Sequence, residues 1–490
     1  MNEKNHLFRN HALKMLLIPL VAEQFLTSLM GTADSMMVSN VGSAAISAVS
    51  LVDSINVLVI QAFAALSAGG TIVCSQYIGQ KNLKKATESA RQLLLAVASI
   101  SVLVMAVCLA FRTPLLRLVF GKVDAEVMDA SKIYFLITSL SFPFIALYDA
   151  GASVYRAQGD SATPLRISVV ANCLNITGNA VLIWVFHMGV AGAALATLGS
   201  RVFSAIVVLW LLRSPKNEIA VKDYLTIRPD GTQIGMILKI GIPSGVENSM
   251  FQFGKLAIQS TVSTMGTVAI AAQAMTNILE NLNGVAAIGI GIGLMTVVGE
   301  CMGAGRKDEA VYYVKKLSVI AEVIIIICCG AIFLLTKPIT TLGGMEPESA
   351  SLCFHMITWI TIVKPIVWTA AFIPAYGLRA AGDVKFSMII SCLTMWLCRV
   401  SLCIFLSRHF GMGPMAVWIG MFSDWTLRGI FFGIRFHSRK WLEKKVIQER
   451  KAHEEKSDHD GYRENGRSFP GDGIHDPEQK IQCLFFQGDH

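Results

Sequence analysis

Residues 19–34 read PLVAEQFLTSLMGTAD, and the reading of this stretch decides the fold. It lies inside an apolar run long enough to cross a bilayer, yet it carries two carboxylates, Glu23 and Asp34. Three helical turns bring the two acids back to one face, roughly 16 Å apart along the axis. A charge in hydrocarbon is costly unless it faces a bundle interior, a partner or water. The stretch also recurs. Adding 224 carries Pro19 to Pro243, Glu23 to Glu247, Gly42 to Gly266, Gly69 to Gly293, Gly79 to Gly303 and Ala86 to Ala310, without a gap. Asp34 falls on Ile258, so the second copy lacks that acid.

Composition fixes the class. Of 490 residues, 53% are hydrophobic and only 16% are charged, with a mean hydropathy of +0.54. Apolar runs of spanning length recur along the whole chain, which predicts an all-α polytopic membrane protein. Twelve spans are expected, near 12–38, 43–78, 92–111, 130–154, 163–186, 190–212, 236–264, 267–299, 317–336, 350–377, 386–407 and 412–435. The repeat groups them as two six-helix bundles, residues 1–212 and 236–436. Residues 213–235 form a cytoplasmic linker between them, and 437–490 a polar cytoplasmic tail. Six is an even number, so the copies share one topology and are related by an axis along the membrane normal. The tail reads as a short helix, WLEKKVIQERKAHEEK, followed by a Gly- and Asp-rich disordered end.

The net charge of +8 is a matter of topology. With the N-terminus inside, twenty Lys and Arg fall in inner segments and six in outer loops, before the basic tail is counted. Loop bias of this kind sets orientation, so both termini are expected in the cytoplasm and no nucleic-acid patch is implied. No cleavable leader is expected, because Asp34-Ser35 follows the first apolar run and the run is needed as a span. The eleven cysteines include no C-x-x-C pair and read as small apolar filler.

Polar residues inside the spans mark the candidate site. Span one carries Gln24, Ser28, Gly31 and Ser35 at helical spacing; the second copy has Asn248, Gln252, Lys255 and Gln259 there. Span two holds Asp53 and Asn56, against Asn277 and Glu280, with Gln273 one turn earlier. Span five adds Asn172, Asn175 and Asn179 on one face, where span eleven has Met395, Cys398 and Leu402. The amides and small residues serve either as interhelical contacts or as a cavity wall. The carboxylates point to a cavity lining, since ionisable groups within spans mark pathways or relays.

Asp34 is the sharpest candidate. A carboxylate desolvated in the asparagine-rich first half is placed to take up and release a proton, unless it caps the outer helix end facing water. Glu23 and Glu247, paired by the repeat, either tie neighbouring helices together or act in function. Lys255 is expected to neutralise Glu280 or Glu247, or to contact substrate. Lys364, Arg201 and Arg399 also lie within spans, and the sequence does not name their partners. The loops RAQGD (156–160) and RAAGD (379–383) read as turn chemistry, Gly ending one helix and Asp capping the next, or as a latch at the inner face.

Together these segments resemble the multidrug and toxic compound extrusion (MATE) family over about residues 12–436. The resemblance rests on the Pro-x-x-x-Glu opening of both halves, MGTADSMMVSNVG, VAIAAQAMTNILENL with ECMGAGRKDEA, and YRAQGDSATPLRISVVANCLNITGNAVLIW. It implies two six-helix bundles forming a V, alternating access, and export of cationic or amphipathic drugs in exchange for H⁺ or Na⁺. The family's span-one acid maps onto Asp34 and its span-seven acid onto Glu247. Two departures favour protons: Asn179 stands where many relatives have an aspartate, and span ten, VKPIVWTAAFIP, lacks the acid of a sodium-coupled branch. Losing a carboxylate weakens an all-oxygen Na⁺ site. Glu280 is the candidate substitute.

The expected function is therefore a monomeric secondary antiporter of the cell membrane, with no cofactor beyond the coupling ion and no nucleic-acid partner. The runner-up is a flippase for a lipid-linked sugar, which calls for a more cationic cavity. An enzyme is not expected: no H-E-x-x-H, G-x-S-x-G or Walker loop is present.

Overall fold

The computed structural model describes residues 6–39, 41–121 and 124–447. The chain forms fifteen α-helices among the described residues. The first half contains α1 (Asn10–Ser39), α2 (Ser43–Gly79), α3 (Leu83–Ala110), α4 (Arg112–Phe120), α5 (Ala125–Leu140), α6 (Phe142–Ala157), α7 (Ala162–Asn179) and α8 (Gly189–Leu212). The second contains α9 (Gly231–Val262), α10 (Thr267–Gly303), α11 (Lys307–Leu342), α12 (Pro347–Ala380), α13 (Val384–Leu393), α14 (Ser401–Phe410) and α15 (Met415–His437).

Twelve spans result once the interrupted helices are joined. α5 and α6 form one span bent by 41° at Ser141, where Pro143 in the first turn of α6 removes a backbone donor. α7 continues through a π-helical turn, Ala180–Val185, and α13 reaches α14 through another, Thr394–Val400. Among the described residues, nine helices are long and apolar enough to span when those two π-joined helices are each taken as continuous, and the bent α5–α6 pair makes a tenth. α9 and α15 fall short because they carry ionisable residues: Lys239, Glu247 and Lys255 on one, Asp424, Arg428 and Arg435 on the other. α4 was not anticipated from the sequence; this nine-residue helix leads into α5 and buries Leu116. The expected helix from Trp441 is also not found. A single 3₁₀ turn, Lys440–Glu443, is followed by non-helical chain to 447, and the rest of the proposed tail lies outside the described residues. Trp441 is buried and stacks on Phe436, with ring centroids 5.6 Å apart.

Helices α2 and α10, repeat equivalents of 37 residues each, form the seam. At 1.5 Å per residue they run about 55 Å, well past a ~30 Å hydrocarbon core. Their C-terminal halves meet at the end of the bundle that carries the basic loops. There Gly79 lies against the Glu300 carbonyl, and Gly303 lies against the Gln76 carbonyl. Adding 224 converts one contact into the other, so a two-fold pseudo-axis passes between them. No side chain fits at either position, and glycine is what lets the backbones touch. The outer flanks repeat the pattern: Gly69 packs 2.8 Å from the Ile237 carbonyl, and Gly289 packs 2.9 Å from Val21 Cα, distances a Cβ would have.

Hydrogen bonds follow the same gradient. Ser89 and Gln233 bond at 2.7 Å, Gln76 reaches the Ala380 carbonyl at 2.7 Å, and Thr296 reaches the Arg156 carbonyl at 3.1 Å. Asn248 to the Gln61 carbonyl, at 3.3 Å, lies halfway along α2. Beyond it no hydrogen bond joins the halves among the described residues. The bundle is closed at its basic end and divided toward the other.

Candidate functional site: a carboxylate–amide chain in the first half

Above this seam lies a cavity of about 590 Å³, walled mainly by α1, α2, α6, α7 and α8, with α9, α10 and α12 completing it. Of the residues singled out in the sequence, Glu23, Gln24, Asp34, Asn172, Asn175, Arg201 and Asn248 border it. Asp34 Oδ1 accepts a 2.8 Å hydrogen bond from Asn179 Nδ2. The same amide donates to Asn175 Oδ1 at 3.2 Å, and Asn175 Nδ2 donates to Thr197 Oγ1 at 3.2 Å. One turn of α7 places both amides on a single buried face, and the π turn begins directly after Asn179. Such turns widen a helix locally and are frequent at functional sites. Asn179 Oδ1 is buried without a partner, an acceptor left open inside the cluster. No group of three His, Cys, Asp or Glu side chains gathers among the described residues; the oxygens here come from one carboxylate, two amides and a hydroxyl.

Asp53 and Asn56, expected to line a cavity, do not border this one. They face α5: Asn56 Nδ2 donates to Asp53 Oδ1 at 3.1 Å, Tyr134 donates to Asp53 at 3.3 Å, and Thr138 donates to Asn56 at 3.4 Å. That is an interhelical polar network. Asp149 on α6, not singled out in the sequence, does border the cavity, as does Arg201, whose Nη1 donates to Ser141 Oγ at 2.7 Å. An acid in an apolar span was the available signal for Asp149.

Glu23 lines the cavity next to the seam, and its repeat equivalent Glu247 lies behind the lining residue Arg379. Arg156 donates to both carboxylate oxygens of Glu23 at 2.9 Å, and Arg379 donates to Glu247 at 2.6 Å. The first Arg of each R-x-x-G-D loop thus neutralises the acid of the Pro-x-x-x-Glu opening in its own half. Capping occurs in the first loop, where Asp160 Oδ1 accepts from the Ala162 and Thr163 amides at 3.0 Å, but not in the second, where Asp383 makes no cap bond and instead pairs with Arg435 at 2.6 Å.

The expected role of Lys255 is corrected. It neutralises neither acid, because Arg379 holds Glu247 and Lys364 holds Glu280 at 2.6 Å. Lys255 lies over the Phe251 ring, 5.0 Å from its centroid. Lys364 is fully buried and also contacts Asn283 and the Glu280 carbonyl, with Trp368 and Trp425 on its flanks. Glu280 is therefore not an open carboxylate. Asn277 accepts from Gln273 at 3.1 Å, and Trp418 in turn donates to Gln273 at 3.0 Å. Asp424, overlooked in the sequence, pairs with Arg399 at 3.2 Å and Arg428 at 3.1 Å.

A duplicated twelve-span bundle, closed at one end and holding a polar cavity, defines a membrane transporter. The MatE family model matches the chain twice, at residues 19–181 and 243–405, and the two matches are offset by 224. The chain belongs to the MatE (MATE) family. It is 26% identical over 431 residues to the uncharacterized transporter YisQ of Bacillus subtilis, covering 87% of this chain and 94% of that one. It is 26% identical over 453 residues to the probable multidrug resistance protein NorM of Thermotoga maritima, covering 90% and 94%. Among solved structures it is similar to one described as the outward-facing conformation of a multidrug resistance MATE family transporter. That likeness has a TM-score of 0.82 at 20% identity, over 89% of this chain and 96% of the other.

Proposed function

We propose that this protein exports cationic or amphipathic small molecules across the cell membrane in exchange for protons, by alternating access, with Asp34, Asn175 and Asn179 as the coupling site. The observation that carries the reading is the hydrogen-bonded chain Asp34–Asn179–Asn175–Thr197 beside a cavity, in one half only. The basic end faces the cytoplasm on this reading, with both termini inside, following the Lys and Arg bias of the loops. The divided end then faces out, and the protein works as a monomer.

Ionised Asp34 accepts from Asn179 Nδ2 and leaves a negative charge on the cavity wall for a cation. Protonated Asp34 becomes a donor, and the open Asn179 Oδ1 is within the same cluster to receive it. Protonation thus removes the charge and reverses the hydrogen bond that ties α1 to α7. Proton and cationic substrate compete through one two-state bundle, which is sufficient for antiport. Na⁺ is the second candidate ion, since the cluster offers four side chains with oxygen ligands. Two things weigh against it: a single carboxylate, and the Arg201 cation on the same cavity wall.

A lipid-linked-sugar flippase would need unpaired cations facing the cavity. Of the cations lining it, Arg156 and Arg379 are held by Glu23 and Glu247, which leaves Arg201 alone outside any ion pair among the described residues and weighs against that alternative. The test uses purified protein in liposomes, loaded with a fluorescent cation and driven by a pH gradient or a Na⁺ gradient. Transport under pH alone, lost in Asp34→Asn, is expected. Transport under Na⁺ that survives the substitution would overturn the assignment of Asp34, and no cation movement under either gradient would favour the flippase.

A further inference from the structure

Gln76 and Glu300 are repeat equivalents, one on α2 and one on α10, four residues before Gln80 and Ala304, which cap the two helices at the closed seam. Their chemistry differs. Gln76 Nε2 donates to the carbonyl of Ala380, at the end of α12, and so bonds the first half to the second. The repeat equivalent of that acceptor is the carbonyl of Ala157, at the end of α6, since the loops RAQGD and RAAGD align Ala157 with Ala380. α10 presents the matching face there. Thr296 already donates to the Arg156 carbonyl at 3.1 Å, and Glu300 follows one turn later on the same side. Glu300 also shares the wall of a cavity of about 1220 Å³ with Tyr155, Gln158 and Gly159 of that α6 end. Among the described residues its carboxylate has neither a hydrogen bond nor an ion pair. An amide always carries a donor; a carboxyl group carries one only when protonated.

We propose that Glu300 is a proton-operated latch on the cytoplasmic closure, a positioning residue for the transport cycle. This rests on the antiport reading. Protonated, Glu300 donates to the α6 end as Gln76 donates to the α12 end, and both arms of the seam are fastened. Ionised, it sets two acceptors against each other, and one arm is released while Gln76 keeps the other. Closing the seam then takes up a proton on the cytoplasmic side, so higher cytoplasmic pH favours opening and substrate loading.

The charged and titratable groups on the walls of that cavity set the surroundings of the carboxylate. α1 and the lead-in present His6, Arg9 and His11; α7 presents Arg166; α11 presents Tyr312 and Lys316. The linker presents Lys216 and Glu218, and Asp160 is occupied in capping α7. From α2 the residue on this wall is apolar Ile78. Mixed charge on these walls leaves the amide-for-acid difference as the asymmetric element of the seam.

The test measures the seam directly, with no substrate and no gradient. Spin labels placed at Lys84 and Lys307, in a background whose native cysteines are replaced, report the distance between the two basic loops at pH ~6 and ~8. All samples carry Asp34→Asn, so failure of the Asp34 reading and of the latch are separate results. One linked proton shifts the open-to-closed ratio by up to about tenfold per pH unit. The expected result is a longer distance at high pH, lost on adding Glu300→Gln, which holds the short distance at both pH values. Gln76→Glu, should Glu300→Gln fold poorly, is expected to steepen the response. No pH-dependent distance change, or one that persists in Glu300→Gln and is unaltered in Gln76→Glu, would overturn the latch.

Discussion

The two halves share a backbone plan and part company in the layer farthest from the seam. Near the basic end most contacts are matched, Gln76 against Glu300 being the exception: Glu23 with Arg156 answers Glu247 with Arg379, and Gly79 answers Gly303. Farther along, Asp34 and Thr197 of the first half correspond to Ile258 and Met421 of the second. There Ile258, Val262, Met395, Val400, Cys403 and Val417 form an apolar cluster. The charges of the second half sit elsewhere and are paired, in Lys364–Glu280 and Arg399–Asp424–Arg428. The lesson is about what duplication constrains. Contacts that cross or support the pseudo-axis must suit both halves at once, whereas a cluster inside one bundle is free to differ. One half can then serve as a chemical switch while the other supplies a rigid counterpart.

The largest effect that would break this comparison is at Asp34. Asp34→Asn should reduce pH-driven cation transport to the liposome background, whereas Ile258→Asn, its counterpart, should leave most of it. Equal losses in both variants would mean that the halves share the coupling function.

Next come the matched ion pairs. Replacing Arg156 or Arg379 by Met leaves a carboxylate uncompensated in a poorly solvated site, at a cost of about 3–5 kcal/mol. Thermal unfolding in detergent should show a similar loss for either variant. Glu23→Gln combined with Arg156→Met should recover much of it, as should the equivalent pair in the second half. Recovery in one half alone would show that the pairs differ in surroundings the backbone does not reveal.

Lys364→Met should be destabilising by a similar amount, because Glu280 is left without its ammonium, and Lys364→Met with Glu280→Gln should come close to the parent. Transport by the double variant is expected to keep its pH dependence. Loss of that dependence would bring the second half into the coupling chemistry.

The smallest effect is expected at Thr197, the end of the hydrogen-bonded chain. Thr197→Val removes one hydrogen bond worth about 1 kcal/mol, so a few-fold change in the apparent proton affinity of transport is expected. A change larger than that of Asn175→Leu would reverse the order of the chain proposed here.

Much of this was legible in the sequence. Hydropathy gave the spans, because each must bury about 20 residues in hydrocarbon, and the 224-residue repeat gave the grouping into halves. Asp34, Asn175 and Asn179 were gathered by helical spacing and by the expense of charge in a membrane, and the fold brings them together. Partners were another matter. Lys255 is near in sequence to Glu247, but side chains on one helix at that spacing compete with partners from neighbouring helices. Arg379 and Lys364 arrive from α12 instead. Asp53 and Asn56 carry the same pattern as cavity residues, yet the rotation of α2 turns them toward α5.

The sequence by itself determined that this chain is a duplicated helical membrane protein and where its intramembrane acids lie. Burial in a bilayer acts on single helices and leaves a periodic trace in one dimension. The tertiary structure alone decided which acids are neutralised, which end of the bundle is closed, and that Gly79 and Gly303 meet across the pseudo-axis. Those facts depend on how separate helices are rotated and packed, and packing distances of a few ångströms leave no period in the sequence.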